Sequence, residues 1–168
     1  MNLKDYIDEV KDFPKPWIGF EDMSPILANY KALDFVINSF ELMVWNPTKI
    51  VWLDARGFIF GSLLAYRLKI PFVMLRKAWK LPDECESISY DLEYGSNTFE
   101  IQKKSIKSWD RVAIGDDLLA TGWSVLAAVN LIEKLGWEVE SINNVIELEF
   151  LWAREKMSDY NVNSLVKY

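Results

Sequence analysis

The segment Arg111-Val-Ala-Ile-Gly-Asp116-Asp117-Leu-Leu-Ala120-Thr121-Gly122-Trp123-Ser124 holds the densest chemical potential in the chain. An apolar run leads into two adjacent acids, then into a short loop of small residues, then into a helical pattern. Ligands of open α/β sheets bind at the carboxyl ends of strands. Backbone N–H groups at a helix start, with the hydroxyls of Thr121 and Ser124, suit a monophosphate. Two neighbouring carboxylates suit the vicinal hydroxyls of a ribose, because a carboxylate offers two acceptor oxygens. An acidic turn before a capped helix has the same look, so these residues alone leave both readings open. The loop has no Lys in the Walker position and no Gly-x-Gly-x-x-Gly fingerprint, which excludes the common nucleotide-binding motifs. Histidine is absent and Cys85 is the single cysteine. A Ser-His-Asp triad, a histidine base, a structural zinc site and an internal disulfide are therefore excluded.

The elements that must position these residues follow from hydrophobic period. Leu3, Tyr6, Ile7 and Val10 recur at helical spacing and predict a first helix, closed by Pro14 and Pro16. Ser24-Pro25 predicts the start of a second helix, with Ser24 as its cap, running to about Val44. Lys49–Leu53 reads as a buried strand, Gly57–Leu68 as a helix, Pro71–Leu75 and Arg111–Gly115 as strands. Val125–Leu135 reads as a helix and Glu138–Leu148 as a fourth strand. This alternation predicts βαβ units and a parallel sheet. Arg76–Ile101 interrupts the rhythm; a turn at Gly95–Asn97 would fold it into a hairpin, and a stretch this long is usually functional.

Composition bounds the rest. The chain of 168 residues is 51% hydrophobic and 26% charged, as in an ordinary globular domain, and its net charge of −6 gives no basic footprint for nucleic acid. No apolar run reaches the roughly 20 residues of a membrane span. The charged N-terminus and lone cysteine fit a cytoplasmic protein. Eight tryptophans stand against seven glycines, where average usage would give about 12 glycines.

The double acid followed by Leu-Leu-Ala-Thr-Gly resembles the phosphoribosyl pyrophosphate (PRPP) loop of the type I phosphoribosyltransferases, and within them the purine-salvage members that act on adenine. Other segments agree in order: Asp12-Phe-Pro-Lys-Pro16 with Phe20, Asp22 and Ser24-Pro25 as the base-binding hood, and Leu53-Asp-Ala-Arg56-Gly as the first pyrophosphate turn. Arg76-Lys77, Lys80-Leu-Pro82, Ser89-Tyr90, Leu92-Glu-Tyr94-Gly95 and Glu100-Ile-Gln102 resemble the catalytic loop. The resemblance implies an α/β type I phosphoribosyltransferase fold: a central, mostly parallel sheet flanked by helices, forming one domain over residues 1–168. It adds a small hood at about 1–25 and a flexible loop at about 77–99. It implies transfer of the phosphoribosyl group from PRPP to adenine, giving AMP and pyrophosphate with Mg²⁺, in a homodimer without nucleic-acid or membrane partners. Asp116, Asp117, Ala120, Thr121, Gly122, Trp123 and Ser124 would hold PRPP. Arg56, Arg76, Lys77 and Lys80 would neutralise pyrophosphate. Gly19, Phe20 and Glu21 would meet the base; Glu100, Tyr94 and Arg56 would serve catalysis. No direct protein ligand to the metal is implied, the ion being carried by PRPP or pyrophosphate.

Two departures accompany the resemblance. Glu21 stands where the family usually has arginine. Trp17, Trp52, Trp79, Trp109 and Trp123 stand where it typically has glycine, which normally supplies positive φ or close approach. Trp123 and Glu21 carry the runner-up reading, a regulatory homologue that binds PRPP or nucleotide without turnover. A single codon read as tryptophan in some genetic codes and glycine in others would produce a change of this one direction.

Overall fold

The computed structural model describes residues 1–168 except Ile18, Glu93, Tyr94, Ile106 and Ser108; the side chains of Asp91 and Leu92 are also left out. Chain order runs β1 (Asp8–Val10), β2 (Phe20–Asp22), α1 (Ser24–Ala28), α2 (Tyr30–Met43), β3 (Lys49–Leu53), α3 (Gly57–Leu68), β4 (Phe72–Lys77), β5 (Cys85–Leu92), β6 (Gly95–Gln102), β7 (Arg111–Leu119), α4 (Trp123–Lys134), β8 (Glu138–Glu147) and β9 (Val162–Lys167). β1 and β2 form a separate antiparallel pair, and the other seven strands form one sheet in the order β5-β6-β4-β3-β7-β8-β9. The β4-β3-β7-β8-β9 part is parallel, and the β5–β6 hairpin joins it antiparallel.

Burial explains why the parallel strands were legible. All five residues of β3 are buried, as expected of a strand covered on both faces. Its side chains alternate between two cores. Val51 and Leu53 join Ile114, Leu131 and Ile132 on the α4 side. Ile50 and Trp52 join Phe40, Phe60 and Leu64 beneath α2 and α3. Trp52 is fully buried, edge-on to Phe40 at 5.8 Å. The indole fits because Gly61 and Gly115 leave space: a Cβ on Gly61 would lie 2.6 Å from Trp52, and one on Gly115 would overlap both the indole and the Asn143 carbonyl. Gly115→Ala is thus an overpacking change against backbone, and should cost about 1–3 kcal/mol or more, read as a lower urea midpoint with an unchanged slope.

The structure corrects the N-terminal expectations. Leu3–Tyr6 is a single 3₁₀ turn, with Asn2 accepting from the Lys4 N–H, and the chain then extends into β1. The Leu3 and Ile7 spacing reflects burial in the α2 core, which one turn followed by an extended residue also achieves. The expected helix from Ser24 to Val44 is two helices. Asn29 is extended (φ −118°, ψ 109°) and its side chain accepts from Lys31 and Ala32 N–H, so it ends α1 and caps α2. Ser24 is the first residue of α1 and does not cap it; its N–H and hydroxyl both donate to Asp22. Gly95–Asn97 lie within β6, because Leu92 pairs with Gly95. β7 runs through both acids to Leu119, past the expected end at Gly115.

Tryptophan backbones add a finding. Trp17 (φ 69°), Trp79 (φ 66°) and Trp152 (φ 55°) lie in the left-handed region, which costs an ordinary L-residue roughly 1–2 kcal/mol. Trp17 and Trp79 are two of the expected glycine positions; Trp152 is an addition. Among the described residues, no helix is long and apolar enough to cross a membrane.

Candidate functional site

The carboxyl ends of β3, β4 and β7 converge on one edge of the sheet, and the candidate residues sit there. Asp116 and Asp117 lie near the end of β7, held in register by β8 (Asp116 opposite Asn144). Beyond them the chain turns through Ala120 and Thr121 to Gly122, whose φ of 83° launches α4 without a side-chain cap. A Cβ on Gly122 would lie 2.7 Å from the Met157 methyl and 3.1 Å from Ala153, so both conformation and packing require glycine here. A cavity of about 80 Å³ is lined by Asp116, Ala120, Thr121, Gly122, Ser124 and Val125. That is room for about three waters, at the positive end of a helix dipole that favours an anion.

Trp123 opens α4, yet its indole is not among the residues lining this cavity; it lies beneath the Lys156 ammonium, 5.2 Å from the ring centre. Lys156 Nζ also donates to the Thr121 carbonyl at 3.2 Å. The Ser124 hydroxyl donates to Tyr90 Oη at 3.3 Å, and Tyr90 stacks on Phe99 at 5.0 Å. Lys156 and Tyr90 were not among the expected site residues. They reach the loop from 35 positions away in sequence for Lys156 and 34 for Tyr90, and only tertiary structure brings them there.

Arg56, which leads into α3, joins two parts of the site. Its Nε stands 2.6 Å from Asp117 Oδ2, and its guanidinium lies over the Phe20 ring at 4.9 Å. Phe20 is also edge-on to Phe13 at 5.1 Å. The expected base-stacking residue, the first pyrophosphate-turn cation and a ribose acid are therefore contiguous. Gly19 is exposed beside them, and Glu21 is half-buried opposite Glu9 on the β1–β2 pair.

The other cations gather on β4 and just past its end. Arg76 Nε donates to Asp54 Oδ2 at 3.1 Å, and Lys80 Nζ stands 3.7 Å from the same oxygen. Lys77 is exposed on β4 opposite Phe99. Glu100, on β6, pairs with Arg76 in the strand register, and its Oε2 accepts the Trp79 N–H at 3.0 Å. Tyr94 lies outside the described residues.

Asp116 sits in a setting that favours its neutral form. Burial, and then the charge of Asp117, push the Asp116 carboxyl well above its ordinary value of 3.8. A carboxyl raised in the folded state supports folding below 3.8 and loses that contribution as pH rises through its folded value. Asp116→Asn should therefore gain stability relative to the parent as pH goes from acid to neutral, measured as the difference in urea midpoints. A difference that shrinks with rising pH would refute this. Among the described residues, no group of three or more carboxylate or thiol side chains converges on a point where a metal ion could sit.

With that geometry in place, the comparisons are direct. The family model of the phosphoribosyl transferase domain matches residues 28–163. The adenine phosphoribosyltransferase of Clostridium botulinum is 47% identical over 170 residues, covering 100% of this chain and 99% of that protein. The crystal structure of adenine phosphoribosyltransferase from Thermoanaerobacter pseudethanolicus superposes with a TM-score of 0.94 at 43% identity, covering 99% of this chain and 98% of that one. The Saccharomyces cerevisiae enzyme, crystallised with an imino-altritol bisphosphate and adenine, gives a TM-score of 0.92 at 41% identity over 97% of this chain and 96% of that one. All three bear the name of an enzyme, and none is described as a regulator.

Proposed function

The chain belongs to the phosphoribosyl transferase family, and from that premise we propose that it carries the phosphoribosyl group of PRPP to adenine, releasing AMP and pyrophosphate. The observation that carries this reading is the unbroken contact from Phe20 through Arg56 to Asp117 beside the helix-capped cavity. Base, pyrophosphate and ribose groups of one substrate pair would each find a partner there. Ala120–Ser124 would hold the 5′-phosphate by backbone N–H groups and hydroxyls. Asp116 and Asp117 would accept from the ribose hydroxyls, and Arg56, Arg76, Lys77 and Lys80 would meet the pyrophosphate. Phe20 would stack on adenine, with Gly19 leaving it open and Glu21 at the rim.

In the reaction the bond from the anomeric carbon to pyrophosphate breaks, and its electron pair leaves with the pyrophosphate. The imidazole nitrogen of adenine then bonds to that carbon and loses its proton. The state between is oxocarbenium-like, so the side chains work by positioning and by charge. Glu100, near the adenine imidazole, would hold that proton's path, and closure by Tyr94 and the hairpin would exclude water. Mg²⁺ supplies charge neutralisation of the phosphate oxygens when bound. The adjacent carboxylates of Asp116 and Asp117 are hard oxygen donors of the kind that suits Mg²⁺, and would sit beside an ion carried on the substrate.

The same reading includes a cytoplasmic enzyme with one catalytic domain, a hood at about 1–25 and a mobile loop at about 77–99. It also includes pairing with a second copy, through the face of α3 on which Ile59, Leu63 and Tyr66 recur at helical spacing and remain exposed. The deciding experiment mixes purified protein, labelled adenine, PRPP and Mg²⁺, with hypoxanthine and guanine alongside. AMP from adenine alone is expected; no nucleotide from any base would refute the proposal. Light scattering at assay concentration reads the dimer.

A further inference from the structure

The cations of the pyrophosphate end share one anchor, Asp54, which lies within the first pyrophosphate-turn segment but was assigned no role there. Asp54 closes β3, where its N–H donates to the Leu75 carbonyl of β4 at 3.0 Å. Its side chain is only 4% exposed, and Oδ2 faces both Arg76 Nε at 3.1 Å and Lys80 Nζ at 3.7 Å. Arg76 is gripped elsewhere too: Nη1 donates to the Lys80 carbonyl at 3.3 Å and the guanidinium stands 5.9 Å from the Phe58 ring centre. A buried carboxylate beside two cations from a neighbouring strand and the segment beyond it fixes where their charge sits. A long side chain otherwise loses rotamer freedom when it meets a ligand.

We propose that Asp54 is a positioning residue, which holds Arg76 and Lys80 preorganised for the pyrophosphate of PRPP without touching the substrate itself. This rests on the transferase reading above. Asp54→Ala should raise KM for PRPP and Kd for pyrophosphate about tenfold while leaving KM for adenine unchanged; Asp54→Asn, which keeps shape and one acceptor, should fall between. In an Arg76→Ala background, Asp54→Ala should add much less than it does alone, since its main client is gone. If the parent protein makes no AMP, the transferase reading fails. If it does, and PRPP and pyrophosphate affinities stay put in Asp54→Ala, or adenine moves equally, positioning is refuted. Variants at Asp54 that do not fold would also overturn it, since Asp54 would then be a residue of the fold.

A second inference rests on backbone conformation, with side-chain exposure and composition beside it. Of the six non-glycine residues with positive φ among the described residues, three are Trp17, Trp79 and Trp152. This is a conformation that glycine adopts freely, and asparagine or aspartate at times, but a bulky aromatic rarely. Packing does not offset the strain, because these side chains are 97%, 95% and 66% exposed. What the positions do use is main chain: the Trp17 N–H donates to Asp12 Oδ1 at 2.7 Å and the Trp79 N–H to Glu100 Oε2. Tryptophan is in excess and glycine short in the same chain.

We infer that the organism builds glycine at positions 17, 79 and 152, from UGA codons that some genetic codes read as tryptophan and others as glycine. The gene should carry UGA at all three, and peptides of the protein from its own cells should each be lighter by the difference between an indolylmethyl group and a hydrogen. UGG at these codons, or peptides containing tryptophan, would overturn it.

Discussion

Asp117→Asn is expected to lower kcat/KM for PRPP by about 10²–10³-fold, with little change in KM for adenine. The Asp117 side chain is only 8% exposed and its Oδ2 already meets Arg56 Nε at 2.6 Å. A carboxylate there can only accept, which suits both the arginine and a diol whose hydroxyls must donate. The amide of asparagine turns one of those acceptors into a donor, so one partner faces an N–H group where it needs an oxygen. A hydrogen bond to a charged group is worth about 1.5–3 kcal/mol. Weakening two of them removes about 3–4 kcal/mol, and each 1.4 kcal/mol is tenfold. Calorimetric titration with PRPP, alongside steady-state kinetics in both substrates, checks this. An unchanged PRPP affinity would take the ribose role away from Asp117.

The legible and illegible parts of this molecule divide by sequence distance. The β7 acids, the small-residue loop and α4 are contiguous, so one stretch displays the strand, the cradle and the helix start together. β3 and α3 were equally readable, since five buried residues in a row and a glycine-led helical pattern each have a local signature. The hairpin was visible from alternation at Ser89–Tyr94, but its register was not, because cross-strand pairing sets register and Gly95–Asn97 looks like a turn wherever it falls. The N-terminal turn was misread because Leu3 and Ile7 are buried by packing on α2, and a 3.6-residue spacing over so few positions does not separate a helix from a turn plus a strand. Asn29 was a readable cap inside an apolar stripe, but the stripe continues on both sides and masks the break. Within the site, the individual cations were legible as motif members with a role, whereas the contacts of their partners were not, even where Asp54 and Tyr90 lie inside motif segments. Asp54, Lys156 and Tyr90 each act across the tertiary structure. The tryptophans were legible as an imbalance of composition, and only backbone angles separate Trp17, Trp79 and Trp152 from Trp52, which is buried and packed.

Arg56 gives the other large effect, and one that Asp117→Asn does not mimic. Arg56→Ala removes a cation that would face the leaving pyrophosphate, and losing one such preorganised donor typically costs 10²–10³ in kcat. It also uncovers Phe20, over whose ring the guanidinium lies at 4.9 Å, so KM for adenine should rise a few-fold as the stacking face loses its neighbour. Arg56→Lys should recover only part of kcat, because an ammonium keeps the charge but loses both the planar donors and the stack. Folding should suffer modestly: the Arg56 side chain is 42% exposed, which limits the pair's worth to about 1 kcal/mol, but Asp117 is 8% exposed and would be left unpaired. The pairing with Asp117 makes the two residues one unit, so the double variant should lose much less than the product of the single losses. Independent, multiplying losses would mean that the 2.6 Å contact plays no part in turnover. An Arg56→Ala enzyme with unaltered kcat would remove Arg56 from the pyrophosphate end altogether, leaving Arg76 and Lys80, on their Asp54 anchor, to carry that charge.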